Sequence, residues 1–276
     1  MKKQFLAIVA TLLLTMIGLT SQLSAQNKFE HGDFSRFVFP ENNKSKSYNV
    51  EKNPDGTDEL VESFYIDGTK CRGDDCNHGS VRSQLKTNIW DDSRPRSISS
   101  PQEAWYSFEI YLPEDFPYGL DQVRGGYILT EFKESNECAS FYFAHFNGYN
   151  DNNLYLTLGE YTGGEDTRFP GAPDECIAYY QEPVARMSAL KGRWTRFEYF
   201  VRWSEAKDGY IRVFRDGEHV FARKGRNCRK IEQCLERNIF YYGIYKPNNK
   251  PLSDVRPAKV YFRNVSMAQK REELLR

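Results

Sequence analysis

Alternation is what most limits the folds open to this chain. In Trp105-Tyr106-Ser107-Phe108-Glu109-Ile110-Tyr111-Leu112, one side carries Tyr106, Phe108, Ile110 and Leu112. In Thr195 to Trp203, Phe197, Tyr199, Val201 and Trp203 share a side, and Arg196, Glu198 and Arg202 take the other. A period of two marks strands with one buried face and one polar face. Tyr210 to Arg215, Asp216-Gly217 and Glu218 to Ala222 read as a hairpin closed by a two-residue turn of the primed type. Helix signals are few: Arg229 to Arg237 and Ala268 to Arg276. Aromatic residues make up 15% of the sequence, enough to fill the gap between two sheets. The pattern predicts an all-β, two-sheet antiparallel sandwich with few short helices.

The first residues carry an export signal. Lys2 and Lys3 precede an apolar stretch from Phe5 to about Leu19, and Leu23-Ser24-Ala25 offers small residues for cleavage before Gln26. The apolar run is shorter than the roughly 20 residues of a membrane-spanning helix. We expect residues 1–25 to be a secretory signal and residues 26–276 to be one domain, secreted or periplasmic. No Pro/Ser linker or internal repeat divides it. The remaining chain of roughly 250 residues suits one large β sandwich.

Net charge is zero over 276 residues, and loss of Lys2 and Lys3 makes the remainder slightly acidic. Bulk attraction to nucleic acid is not expected. The six cysteines, Cys71, Cys76, Cys138, Cys176, Cys228 and Cys234, suggest disulfides in an exported protein. Their spacing suggests Cys71–Cys76, Cys138–Cys176 and Cys228–Cys234, although other pairings are open. A metal site is the weaker reading, because no CxxC pair occurs and His31, His78, His145 and His219 are scattered.

Three segments place polar groups on what reads as a single sheet face. In Val81 to Lys86, one side carries Arg82, Gln84 and Lys86. In Tyr127 to Lys133, Leu129, Glu131 and Lys133 alternate with Ile128, Thr130 and Phe132. In Phe240 to Lys246, Tyr241 and Tyr245 share a side, with Gly243 between them as room for a ligand. A groove of Arg, Gln, Lys, Glu and Tyr suits a uronic-acid polymer. Arg and Lys engage the sugar carboxylate, and tyrosine offers both a ring and a proton-carrying hydroxyl.

These segments resemble the jelly-roll polysaccharide lyases, the concanavalin-like group of heparin lyase I, glucuronan lyase and alginate lyases. Arg82-Ser83-Gln84-Leu85, after Cys71 and Cys76, resembles the Arg-Ser-Glu-Leu strand of that group. Trp105 to Pro113 is similar to its next strand. Gly192 to Trp203 with Gly209 to Gly217 resembles its paired central strands, and Tyr241 to Tyr245 resembles its late tyrosine strand. The likeness spans about residues 60 to 265.

The resemblance implies β-elimination on an acidic polysaccharide, without a required cofactor and by a monomer. Tyr245 matches the proton-transfer tyrosine and Arg82 the early-strand arginine. Two departures stand out. Gln84 replaces the usual glutamate. Glu131-Phe132-Lys133 stands where many members carry Gln-x-His. His78 or His145 then offers a base, and Gln84, Lys86, Glu131, Lys133 and Tyr241 offer substrate contacts.

A non-catalytic glycan-binding protein on the same scaffold is the alternative, favoured by Glu131 and Lys133. A glycoside hydrolase ranks third; it would need two flanking carboxylates, with Glu109 or Glu198 as candidates. Asp74-Asp75 and Asn147 to Asn153 could supply oxygen ligands to a structural calcium.

Overall fold

The computed structural model describes residues 47–69, 77, 79–86, 88–91, 94–97, 102–117, 126–134, 139–145, 152–160, 178–228, 238–247 and 252–274. The expected signal segment, Arg229 to Arg237, His31, His78 and five of the cysteines lie outside these residues. The strands are β1 (Tyr48–Lys52), β2 (Leu60–Ile66), β3 (Val81–Lys86), β4 (Asn88–Asp91), β5 (Arg94–Ser97), β6 (Glu103–Tyr111), β7 (Tyr127–Glu134) and β8 (Ala139–His145). They continue with β9 (Asn153–Glu160), β10 (Ala178–Arg186), β11 (Trp194–Arg202), β12 (Tyr210–Arg215), β13 (Glu218–Lys224), β14 (Asn238–Lys246) and β15 (Ala258–Ala268).

Seven strands form one antiparallel sheet in the order β1-β2-β15-β6-β11-β12-β13, and six form the other in the order β10-β9-β8-β7-β14-β3. Strands β4 and β5 pair as a separate ribbon. The result is the expected two-sheet jelly-roll sandwich. Among the described residues, helix is confined to single turns. The C-terminal helix expected over Ala268 to Arg276 is a correction: β15 runs to Ala268, and only a short 3-10 turn, Arg271–Glu273, follows. Val260, Phe262, Val265 and Met267 are all buried, so this segment serves the sheet core rather than a surface helix.

The aromatic residues join the layers. Phe108 of β6 lies 5.7 Å from Phe197 and 5.6 Å from Tyr199 on its own sheet, and 6.2 Å from both Phe143 and Phe240 on the facing sheet. Phe132 of β7 meets Trp203 at 5.4 Å and Tyr106 at 4.8 Å. Edge-on and tilted rings in close contact add to the burial of large apolar area. Asp216 and Gly217 take φ of 50° and 86°, which closes the β12–β13 hairpin through the expected primed turn.

Two ionisable groups are sealed inside. Glu62 of β2 is fully buried and accepts hydrogen bonds from Tyr48 Oη at 3.0 Å and Tyr242 Oη at 3.1 Å. Burial pushes its carboxyl up to about 8, against the smaller opposing effect of the tyrosine hydroxyls. Lys246 is also fully buried and lies 5.0 Å from the centre of the Tyr127 ring. Its ammonium is pushed down to about 8 by burial.

Two of the polar sheet's register shifts bear on the site. The register of β14 against β7 shifts between Tyr242 and Tyr245, and that of β7 against β8 shifts between Ile128 and Thr130. Gly243 sits in the first with φ of 129°. A Cβ there would meet the Ser83 carbonyl oxygen and lie 2.8 Å from the Phe64 ring. The space beside Gly243 is therefore taken by β3 and the core, not left for a ligand as the sequence suggested. The second shift breaks the Leu129-Glu131-Lys133 alternation. Leu129 joins the core, and Thr130 also points inward, its Oγ1 3.0 Å from Tyr199 Oη.

Two stability outcomes follow. Gly243→Ala should lower the unfolding free energy by about 2 kcal/mol or more, since both backbone and space oppose a side chain; urea denaturation measures this. Glu62 holds its proton in the folded state but ionises above about 4.5 when unfolded. The wild type should therefore lose stability as pH rises from about 4.5 to about 8. Glu62→Gln should flatten that slope in melting temperatures taken across the window.

Candidate functional site

Cross-strand partners share a sheet face, so the register reads the site out row by row. Arg82 stands opposite Tyr245, Tyr245 opposite Ile128, Ile128 opposite Ala144, and Ala144 opposite Tyr155. A second row runs from Lys86 through Tyr241, Glu131, Tyr142 and Thr157 to Gln181. Both rows lie on the side of the six-stranded sheet turned away from the aromatic core. Leu85, Phe132, Phe143, Leu156 and Tyr242 occupy the inward side.

The Arg82 guanidinium lies over the Tyr245 ring, 4.3 Å from its centre. Stacking of this kind holds the arginine plane while leaving its edge N–H groups to bind a carboxylate. Both residues are partly exposed. One strand step further, Gln84 is opposite Gly243 and reaches across β14 to Glu131, with Nε2 to Oε1 at 3.4 Å. Gln84 and Glu131 are each 5% exposed, so both form the floor of the site rather than its rim.

The structure thus brings together Arg82, Tyr245, Gln84, Glu131 and Tyr241, and places Lys86 and Lys133 in the same strands. His145 ends β8, with Tyr127 and Leu154 as its register partners. His78 lies outside the described residues.

Sequence reading missed Tyr155, Thr157 and Gln181. Gln181 Nε2 reaches Thr157 Oγ1 at 3.4 Å and extends the polar row over β9 and β10. The signal was present: Tyr155, Thr157 and Gly159 alternate with Leu154, Leu156 and Leu158.

Glu109 and Glu198 lie on the outer face of the seven-stranded sheet, remote from this row. Arg263 bonds Glu109 at 2.7 Å; Arg196 and Arg271 hold Glu198 at 2.8 and 2.6 Å. Burial raises the Glu198 carboxyl, but the two arginines outweigh it and hold it below the usual range. Both carboxylates are held by arginines on the sheet face away from the Arg82–Tyr245 row. Arg196, Glu198 and Arg202 form an outer ionic face, not a groove wall. Among the described residues, no group of three or more His, Cys, Asp and Glu is placed to hold a metal. The stretches proposed for calcium lie almost wholly outside them. Cys228, the one described cysteine, is fully buried and disulfide-bonded.

No curated protein sequence matches this chain. The structure is similar to that of an endo-β-1,4-glucuronan lyase from the fungus Trichoderma reesei, with a TM-score of 0.59 and 15% identity over 90% of this chain and 96% of that one. It is also similar to alginate lyase Aly36B, with a TM-score of 0.50 and 10% identity over 88% and 96% of the two chains. Alginate lyase A1-II′, a member of polysaccharide lyase family 7, follows with 0.50 and 13% over 81% and 83%. At these identities the likenesses establish the fold. A model of the polysaccharide lyase family matches residues 29–266, nearly the whole chain. The chain belongs to the polysaccharide lyase family, and the protein is a polysaccharide lyase.

Proposed function

We propose that this lyase is exported and cleaves a uronate-containing acidic glycan by β-elimination at the Arg82–Tyr245 pair. The observation that carries this reading is the guanidinium held 4.3 Å from the centre of the Tyr245 ring. A uronate carboxylate laid against the edge of the Arg82 guanidinium would have its charge matched there. Neutralisation is the main electrostatic demand of the reaction, because the carbanion at C5 develops beside an anion.

Tyr245 is the group positioned to move the proton. The Tyr245 phenolate takes the C5 proton, and the C5–H electron pair forms the C4=C5 double bond. The C4–O4 bond breaks, and the proton is returned to O4. The sequence pattern of Lys2, Lys3, the apolar stretch and Leu23-Ser24-Ala25 supports export. The disulfide pairings suggested by spacing fit the same compartment.

The test is a screen of the processed protein against alginate, glucuronan, heparin-type and ulvan-type polymers for the ultraviolet absorbance of unsaturated uronate. Turnover of at least one is expected, and absence of product from all would sink the uronate reading. Tyr245→Phe should lower kcat by about 10²–10⁴-fold. Arg82→Ala should lower kcat/KM by about 10²-fold or more. Full activity in both variants would move the chemistry elsewhere. Mass spectrometry of the exported protein should find Gln26 at its N-terminus.

A further inference from the structure

Gln84 and Glu131 meet across an intervening strand. Gln84 is opposite Gly243 of β14, Glu131 is opposite Tyr241 of the same strand, and the two side chains bond over the top at 3.4 Å. The Gln84 amide turns its NH2 toward Glu131 and donates to the carboxyl oxygen. Its carbonyl oxygen is thereby aimed away from Glu131. That oxygen is buried and makes no hydrogen bond. A buried acceptor without a donor is costly, and such an atom in a site is poised for one from a ligand.

The place of this pair gives it meaning. Gln84 stands two residues along β3 from Arg82, roughly 6.5 Å away and on the same face. That is on the scale of one sugar unit, so a chain held at Arg82 and Tyr245 sets its neighbouring sugar against Gln84 and Glu131. The two subsites differ in character. The first offers a cation to a carboxylate. The second offers an acidic residue and an amide oxygen, both acceptors, on a floor only 5% exposed, where charge is weakly screened.

We propose that Gln84 and Glu131 are specificity-determining residues. Their subsite takes a sugar that presents a hydroxyl or N–H and carries no carboxylate, so this lyase acts on glycans in which the uronate alternates with a neutral or amino sugar. This rests on the uronate reading above and narrows it. Gln84 supplies the directed acceptor. Glu131 orients the amide and repels a second carboxylate.

The experiment compares kcat/KM on four polymers. In alginate and glucuronan, uronate follows uronate. In desulfated ulvan-type and in desulfated, N-acetylated heparin-type chains, uronate is flanked by an uncharged neutral or amino sugar, so these two arms separate hydroxyl from N–H recognition. At least one mixed polymer should be preferred over both homopolymers by about tenfold or more. Glu131→Gln keeps the size and removes the charge, and should narrow that ratio about tenfold by improving homopolymer cleavage. Gln84→Leu should raise KM on the preferred polymer with a smaller change in kcat, the melting temperature reporting that it folds. Equal or better cleavage of homopolymers by the wild type, or an unchanged ratio in both variants, would overturn the inference while leaving a uronate lyase in place. A lack of unsaturated product from all four polymers would instead remove the uronate reading, and this inference with it.

Discussion

The aromatic layer between the sheets is the constraint on which the rest depends. Phe108, Phe132, Phe143, Phe197, Tyr199, Trp203 and Phe240 are at most 1% exposed. Rings of this size must be buried on one side of their strands, and period-two geometry then sends the alternate residues to the other side. On the seven-stranded sheet those alternates are Glu109, Arg196, Glu198 and Arg263, which satisfy one another. On the six-stranded sheet they are Arg82, Gln84, Glu131, Tyr241 and Tyr245. The same packing rule therefore yields a closed ionic face on one sheet and a face suited to a ligand on the other.

Two register shifts shape the second face. β14 keeps its pairing with β3 unbroken from Tyr241 to Tyr245, and the shift falls on its β7 side. Gly243 lies close against Ser83 and Phe64 and leaves no side chain between Gln84 and Glu131. The facing shift in β7 turns both Leu129 and Thr130 inward. Bulges are found where a sheet has to re-aim a side chain, and here they set Glu131 beside Gln84 rather than one position out of line.

The fold was largely legible in the sequence because burial writes itself as alternation. Tyr106 to Leu112 and Phe197 to Trp203 were readable as inward faces, and all are now seen buried. Arg82 and Tyr245 could be singled out for a similar reason, each sitting at the polar phase of a strand. The failures have a common cause: they lie where alternation breaks or where pairing decides. Gly243 looked like open space, but a glycine's emptiness has a direction, and its φ of 129° turns that direction into β3 and the core. The contact of Gln84 with Glu131 joins positions 47 residues apart on strands that are not neighbours, and no local pattern encodes it.

Strand β14 also explains why polar groups sit in the core beneath the site. Its outer side presents Tyr241 and Tyr245, while its inner side carries Tyr242 against Glu62 and Lys246 against the Tyr127 ring. An apolar pair in place of Tyr242 and Glu62 could pack as well, and burial of ionisable groups costs stability rather than adding it. Hydrogen bonds, however, fix orientation in a way that apolar contacts do not. Tyr48 of β1 and Tyr242 of β14 both bond Glu62 of β2, so three strands from the two sheets are tied at one carboxyl. That tie lies next to Gly243 in sequence, on the strand whose placement decides where Tyr245 meets Arg82. A sheet held only by interchangeable apolar contacts can slip by a residue and reverse its faces. Anchoring β14 at Glu62 opposes that slip at the strand where a change of face would carry both site tyrosines into the core.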